Sequence, residues 1–167
     1  MFQKAIYSGE REKDYTLLIK QLEALNEGET NHIALLANAS SLLDQYLSNV
    51  NWVGFYLWEN DELILGPFQG LPACIRIPYG KGVCGTALSE KKTQRIEDVS
   101  SFPGHIACDS ASQSELVVPL FIGDAIFGVL DIDSPSTNRF DATDQYYIER
   151  YAHTLMNHIS KHTPSLR

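Results

Sequence analysis

The residues in this sequence best suited to chemistry are its three cysteines, which all lie in one stretch between about residues 66 and 114. A single cysteine is most often a small buried apolar side chain, but three in a glycine-rich stretch with little periodicity favour thiol chemistry. They are Cys74, Cys84 and Cys108, and no two of them form a Cys-x-x-Cys pair.

Cys108 has the sequence neighbours that bear most directly on reactivity. A thiol reacts as its thiolate, and its ordinary pKa of about 8.5 has to be lowered by a nearby positive charge or a helix N-terminus. His105 could supply that charge, whereas Asp109 opposes ionisation. The sequence leaves the ionisation state of this thiol open.

Three acidic residues lie on predicted strands that follow this stretch. Glu115 precedes an apolar run, and Asp131 and Asp133 share one face of the next strand. That face is either solvated or the wall of a pocket. In a pocket, carboxylates could bind an ammonium group, and a protonated carboxyl could donate to a developing oxyanion.

Metal and nucleotide binding would use some of the same residues. His105 and the three cysteines could be written as a zinc site, but their spacing matches no paired zinc motif, and we predict no metal. The glycine-rich run 80–86 has the composition of a phosphate loop but not its order. It favours a tight turn and a short helix over about 85–90, whose amides could hold the carboxylate of an amino acid.

Charge and hydropathy exclude several classes of partner. The formal net charge is -8 and no basic cluster offsets it, which argues against nucleic acid. No apolar run approaches the roughly 20 residues that cross a bilayer, and no secretion segment is recognisable. These patterns predict a cytoplasmic protein without membrane association, in a compartment where structural disulfides are rare.

The elements that position the candidate residues follow from periodicity. Leucines at helical spacing predict helices over about 13–27 and 30–48, and Ile33 falls on the apolar stripe of the second. Asp141 can cap a closing helix over about 141–162. The sequence thus begins and ends with helices.

Two hairpins are predicted between these helices. Aromatic and β-branched runs form one hairpin over about 52–65 and a second over 116–133, so that the sheet and the site fall within about 50–134. Hairpins covered by helices predict an α+β fold with a mainly antiparallel central β-sheet, flanked by N-terminal and C-terminal helices. We expect a single domain over 1–167.

Several motifs in the sequence match one known family. They are Asn51-Trp52-Val53-Gly54-Phe55-Tyr56, Gly66-Pro67-Phe68-Gln69-Gly70, Gly80-Lys81-Gly82-Val83-Cys84-Gly85-Thr86-Ala87, Gly104-His105-Ile106-Ala107-Cys108-Asp109, Ser114-Glu115 and Gly128-Val129-Leu130-Asp131-Ile132-Asp133-Ser134. Over nearly its whole length the chain resembles the free methionine (R)-sulfoxide reductases, which are single GAF domains. The resemblance implies a GAF-like fold, a homodimer, and reduction of free L-methionine (R)-sulfoxide to L-methionine in repair of oxidative stress.

The resemblance also implies roles for individual residues. Cys108 would be the nucleophile that attacks the sulfoxide sulfur and becomes a sulfenic acid, and Cys74 would resolve it as a disulfide, with Cys84 as the alternative. The substrate-binding and proton-donating residues would be Glu115, Asp131 and Asp133, with Trp52 and Tyr56 as the pocket wall. No cofactor would be bound, and thioredoxin would return the electrons from NADPH.

Two other functions stay open for the same residues. A non-catalytic GAF module could bind a small ligand without turnover, and a redox sensor could oxidise its thiols and then bind a partner. The sensor would need neither the carboxylates nor the aromatic wall, so the cysteines and carboxylates together favour the reductase.

Overall fold

The computed structural model describes residues 2–163, so residue 1 and residues 164–167 of the expected domain lie outside the described chain. The α-helices are α1 (Arg11–Asn26), α2 (His32–Tyr46), α3 (Gly82–Glu90) and α4 (Ala142–His162). The strands are β1 (Trp52–Glu59), β2 (Glu62–Gly70), β3 (Arg76–Pro78), β4 (Gln94–Ile96), β5 (Ser114–Ile122) and β6 (Ala125–Ser134). The α+β prediction is confirmed, and β3 and β4 are additions that were too short to show a pattern.

Within the described residues, the strands form one six-stranded sheet in the order β3-β2-β1-β6-β5-β4. Every neighbouring pair is antiparallel. The two predicted hairpins are β1–β2 and β5–β6, and they meet through β1 and β6 at the centre. β4 pairs only with residues 115–117 of β5, so Pro119, which has no N–H to donate, lies where the outer edge of β5 is unpaired.

The sheet has an apolar core on each face. Helices α1, α2 and α4 share one apolar core with alternate residues of the central strands, such as Phe55, Leu116 and Leu130. Helices α2 and α4 pack on the strands, and α1 packs mainly on α2 and α4. Helix α3 covers the other face, where a smaller core contains Trp52 and Tyr56. Because strand side chains alternate, β1, β5 and β6 each contribute to both cores. No helix in residues 2–163 is long and apolar enough to span a bilayer.

Helix α2 begins at a side-chain cap. Asn31 accepts a hydrogen bond from the N–H of Ala34 at 3.0 Å, as expected for an N-cap asparagine. Ile33 does not join the apolar stripe as predicted, because its side chain is 69% exposed. It lies in the first turn, ahead of the buried stripe that begins at Leu35.

A network of charged side chains joins the start of α4 to α1. Asp141 and Asp144 form a capping box, in which each side chain accepts a hydrogen bond from the other's backbone N–H. Asp144 is buried, and it accepts hydrogen bonds from the Tyr15 hydroxyl at 2.6 Å and from Arg139 at 3.2 Å. Arg11 pairs with the same carboxylate at 2.6 Å. The buried charge is therefore compensated, and the two helices are held in register.

The central pairing of β1 with β6 requires a glycine at position 128. Gly128 lies opposite Leu57, with a φ of 156°, and a Cβ there would overlap the carbonyl oxygen of Tyr56. We predict that Gly128→Ala lowers the free energy of unfolding by about 3 kcal/mol or more, because a strand backbone cannot move away without breaking the ladder. Thermal unfolding should show a fall in Tm of about 10 °C.

The matched control is Gly123→Ala in the β5–β6 turn. Gly123 also has a positive φ, of 58°, but a Cβ there meets no atom within 4 Å. We expect a cost of about 1 kcal/mol from backbone strain alone. Equal costs for the two variants would contradict the close-approach explanation.

Candidate active site

The acidic residues singled out in the sequence lie side by side on the central strands. Glu115 on β5 pairs with Asp133 on β6, and Asp131 is two residues along the same strand, opposite Val117. All three share the face that α3 covers, because Val117 belongs to the core on that face. Glu115 and Asp131 are buried. Of the two alternatives for this face, the structure supports the pocket wall.

A small cavity lies between these strands, α3 and the loop before β5. Its lining residues are Ile77, Gly82, Val83, Cys84, His105, Ile106, Cys108, Asp109, Ser112, Glu115, Asp131 and Asp133. Its volume of about 30 Å³ has room for about one or two water molecules. Six residues proposed for chemistry from the sequence thus meet at one cavity, among them two of the cysteines and all three acidic residues.

Cys84 is the free thiol of the site. It is buried in the first turns of α3, with its Sγ 3.4 Å from Oδ2 of Asp131 and 4.0 Å from Oε1 of Glu115. Burial, and after it the neighbouring carboxylates, raise the pKa of this thiol well above its ordinary value. Cys84 is therefore a protonated thiol that can donate to a carboxylate.

The carboxyl groups share the same electrostatic environment. Burial raises the pKa values of Glu115, Asp131 and Asp133 well above the ordinary range, and their mutual repulsion raises them further. His105 has its Nε2 3.6 Å from Oε2 of Glu115, and burial lowers the pKa of this imidazole. The raised pKa values favour protonated, neutral carboxyl groups, and the lowered pKa favours an unprotonated, neutral imidazole.

Two carboxyl oxygens in this cluster lack an internal partner. Oδ1 of Asp131 and Oδ1 of Asp133 are buried and accept no hydrogen bond from any described residue. Buried polar atoms are nearly always satisfied in folded proteins, so such atoms beside a cavity indicate where a polar ligand binds.

Cys74 and Cys108 form a disulfide, with their Cα atoms 5.2 Å apart. The bond joins the segment between β2 and β3 to the loop that precedes β5. Cys108 lines the cavity, whereas Cys74 is not among its lining residues. The two cysteines that the resemblance paired are thus in contact, with one facing the carboxyl cluster.

Asp109 has a role that the sequence did not suggest. Its Oδ2 accepts a hydrogen bond from Nδ2 of Asn51 at 2.9 Å, and its Oδ1 accepts one from the N–H of Ala111 at the same distance. Nδ2 of Asn51 also donates to the Ser112 hydroxyl at 3.0 Å. The Cys108 loop is therefore tied to the residue just before β1, a contact across 58 positions that no local pattern encodes.

Trp52 and Tyr56, predicted as the wall for the substrate, are buried beneath the site and do not line this cavity. Their rings stack 5.7 Å apart. The Trp52 indole donates to the carbonyl of Leu71 at 3.1 Å, and the Tyr56 hydroxyl donates to the carbonyl of Cys74 at 2.9 Å. In the disulfide form they hold the segment that carries Cys74.

The structure also bears on the short helix and the zinc site that were considered from the sequence. The short helix begins at Gly82, ahead of the predicted start at residue 85. A four-ligand zinc site with His105 is not available while two of its thiols form the disulfide. The closest grouping of possible ligands in the described chain is Cys84 with two carboxyls, all within 4.8 Å of one another.

Comparisons with known proteins identify related chains. A family model described as "GAF domain" matches residues 34–160. "Protein YtsP" of Bacillus subtilis is 60% identical over 157 residues, covering 93% of this chain and 96% of its own. "Free methionine-R-sulfoxide reductase" of Escherichia coli is 56% identical over 131 residues, covering 78% and 79%. The crystal structure of free methionine-R-sulfoxide reductase from Neisseria meningitidis in complex with its substrate has a TM-score of 0.92 at 40% identity, covering 97% and 98%.

The environment of Cys84 predicts its reactivity. In the disulfide form Cys84 should react with a disulfide reagent such as DTNB at about pH 8 at least a hundredfold more slowly than in denaturant, because its raised pKa leaves little thiolate. Stopped-flow absorbance measures both rates. Unfolding in guanidinium should release one fast thiol per chain, which is the control. Fast reaction of the native protein would show that the thiol is ionised or exposed.

The buried carboxyl cluster predicts how stability depends on pH. A carboxyl whose folded pKa is raised binds more protons in the folded state, so its contribution is full below the unfolded pKa near 4 and is lost as pH rises towards the folded pKa. Asp131→Asn removes the titrating carboxyl, and with it the loss of stability that this group causes as pH rises. We expect its free energy of unfolding to exceed that of wild type increasingly between pH 5 and 8, as measured by urea denaturation. Exposed Asp124→Asn in the β5–β6 turn is the control, and a constant difference across that range would contradict the assignment.

Proposed function

The chain belongs to the GAF-domain family and, within it, to the free methionine-R-sulfoxide reductases, and on that basis we propose that it reduces free L-methionine (R)-sulfoxide to L-methionine. We further propose that thioredoxin supplies the electrons, that the protein acts in the cytoplasm and that it forms a homodimer. We also propose that residues 1–167 form a single domain.

The observation that supports this function most directly is the position of the Cys74–Cys108 disulfide. Cys108 lines the same cavity as the three carboxyl groups, two of which are buried. Sulfoxide reduction by a thiol needs a sulfur nucleophile, a source of protons for the oxygen, and a second thiol that removes the oxidised product. These three components meet at one site.

In the first step, the Cys108 sulfur attacks the sulfoxide sulfur. The sulfoxide oxygen is a poor leaving group unless it is protonated, and a buried carboxyl with a raised pKa supplies that proton at neutral pH. The hydroxyl group then passes from the substrate sulfur to the Cys108 sulfur as the transient sulfur–sulfur bond breaks, which leaves a sulfenic acid on Cys108 and releases methionine with its sulfur reduced by two electrons. The proton that the Cys108 thiol lost on attack replaces the one that the carboxyl supplied.

The same carboxyl groups account for recognition of a free amino acid. An ammonium group beside a buried carboxyl stabilises the carboxylate, and the unpartnered Oδ1 atoms of Asp131 and Asp133 are suitable acceptors. The first amides of α3, which begins at Gly82 on the cavity, are suited to the substrate carboxylate. A methionine residue inside a protein chain has neither the ammonium nor the carboxylate group of the free amino acid, so it would be excluded.

In the second step, the Cys74 thiol attacks the Cys108 sulfenic acid. Water leaves and the disulfide forms, and a dithiol then reduces it to two thiols. Cys74 is favoured as the resolving residue because it is already bonded to Cys108, whereas Cys84 donates to carboxyls on the other side of the cavity. Trp52 and Tyr56 anchor the Cys74 segment, and we propose that they contact the substrate side chain once the disulfide is reduced.

The nucleophile assignment predicts that Cys108→Ser abolishes turnover. Purified protein is incubated with free methionine (R)- or (S)-sulfoxide and dithiothreitol, and methionine is measured by chromatography. Wild type should reduce the R isomer alone, and Cys108→Ser should be at least about a thousandfold slower, because a hydroxyl cannot replace the thiol. If wild type releases methionine from neither isomer, the reductase proposal fails and a ligand-binding GAF module is left.

The resolving role is tested in the same assay without reductant. Reduced Cys74→Ser should release one methionine per chain and stop at a sulfenic acid, which dimedone labels and mass spectrometry places on Cys108. Cys84→Ser should still form the Cys74–Cys108 disulfide. A disulfide between Cys84 and Cys108 in wild type would transfer the role to Cys84.

A further inference from the structure

We propose that an exposed apolar surface around Cys74 is the docking site of the dithiol protein that reduces the disulfide, and that its thiolate attacks the Cys74 sulfur. This inference rests on the proposed function. The surface, called here the Cys74 patch, consists of Leu71, Ile75 and Tyr79, which flank Cys74 in the segment after β2 and across β3.

The large apolar side chains of the Cys74 patch remain exposed to solvent instead of packing in a core. Leu71 is 64% exposed, Ile75 is 66% exposed and Tyr79 is 47% exposed, although all three lie within five residues of the disulfide. Large apolar side chains grouped on a surface are typical of protein interaction sites. Here the three side chains lie close in sequence to Cys74, one end of a bond that an external protein has to reach.

The segment is exposed although its backbone is firmly held. Three of its carbonyl oxygens accept internal hydrogen bonds: Leu71 from the Trp52 indole, Cys74 from the Tyr56 hydroxyl, and Ile75 from the N–H of Leu65 at 2.9 Å. β3 is an edge strand beside it. A backbone fixed from the inside presents its side chains in one arrangement, which lowers the entropic cost of binding a partner.

The position of the two sulfurs decides which one is attacked. Both cysteines are half-buried, but Cys108 lines the cavity beside the carboxyl groups, whereas Cys74 does not line it and lies in the segment with the exposed patch residues. The reductant's thiolate bonds to the Cys74 sulfur, and the S–S electron pair passes to Cys108, which leaves into the cavity and takes a proton. The reductant's second thiol then breaks the mixed disulfide and releases Cys74, so that one dithiol becomes one disulfide.

The one uncompensated charge in the described segment 71–81, on Lys81, favours a protein reductant with an acidic residue near its reactive cysteine. The residues from 71 to 81 include Arg76 and Lys81 and no acidic residue, in a chain whose formal net charge is -8. Arg76 is paired with Glu62 on the neighbouring strand, while Lys81 is exposed. A thioredoxin-like dithiol protein with apolar residues beside its reactive cysteine matches this surface, whereas a small thiol would gain nothing from it.

The docking role is tested by comparing two reductants on the full-length protein. The double variant Leu71→Ser, Ile75→Ser should raise the KM for thioredoxin about tenfold or more, and should keep the wild-type rate with dithiothreitol. The control is Ile33→Ser, which removes an equally exposed apolar side chain on α2 and should change neither rate. If wild type shows no turnover with dithiothreitol, the proposed function is rejected. If wild type turns over but the double variant keeps the wild-type KM for thioredoxin, only the docking role of the Cys74 patch is rejected.

Light scattering on the same variants separates docking from self-association. If the double substitution dissociates a wild-type dimer, the patch is an interface between copies of this chain and the proposal is overturned. If the oligomeric state is unchanged while the KM rises, docking is supported. Equal melting temperatures would exclude misfolding as the cause.

The site of attack is tested by trapping. A thioredoxin whose second cysteine is replaced by serine cannot complete the reaction, so it should accumulate as a mixed disulfide with this chain. Peptide mapping should place the bond on Cys74, with Cys108 free to react with iodoacetamide. A bond to Cys108 would overturn the assignment.

Discussion

Three carboxyl groups and one thiol share a buried space on one face of the sheet, and their proximity constrains everything built around them. A protein interior does not hold several like charges together unless some of the groups keep their protons. The cluster therefore contains acid at neutral pH, next to the disulfide sulfur of Cys108. In the proposed reaction, the protein's own side chains therefore supply both the nucleophile and the proton source.

The rest of the fold stabilises this unfavourable arrangement. The larger core on the opposite face, formed with α1, α2 and α4, buries most of the leucines, and it makes the sheet rigid enough to hold Glu115 opposite Asp133. Functional sites commonly cost stability that the remaining structure supplies. The face with the fewer helices is the one on which loops can carry reactive residues.

Much of this architecture could be predicted from the sequence, because it depends on local patterns. The helices around Leu36 and Leu155 and the hairpin at Gly123 follow from periodicity and turn chemistry. The strands β3 and β4 could not be predicted, since three residues are too few to show alternation.

The site was predicted less completely, for a physical reason. Residue types and motifs identified the cysteines and carboxyls, but whether the face of Asp131 was solvated depended on α3, which is distant in sequence. The bond from Asn51 to Asp109 and those from Trp52 and Tyr56 to the Cys74 segment are likewise tertiary contacts. No spacing rule encodes them, so the positions of both loops became known only from the structure.

The disulfide beside the cavity has a kinetic consequence for the proposed reaction. While Cys108 is bonded to Cys74, it has no thiol with which to attack a sulfoxide. Sulfoxide would then react only with the dithiol form, and the reductant only with the disulfide form. Turnover would alternate between the two forms in a ping-pong order.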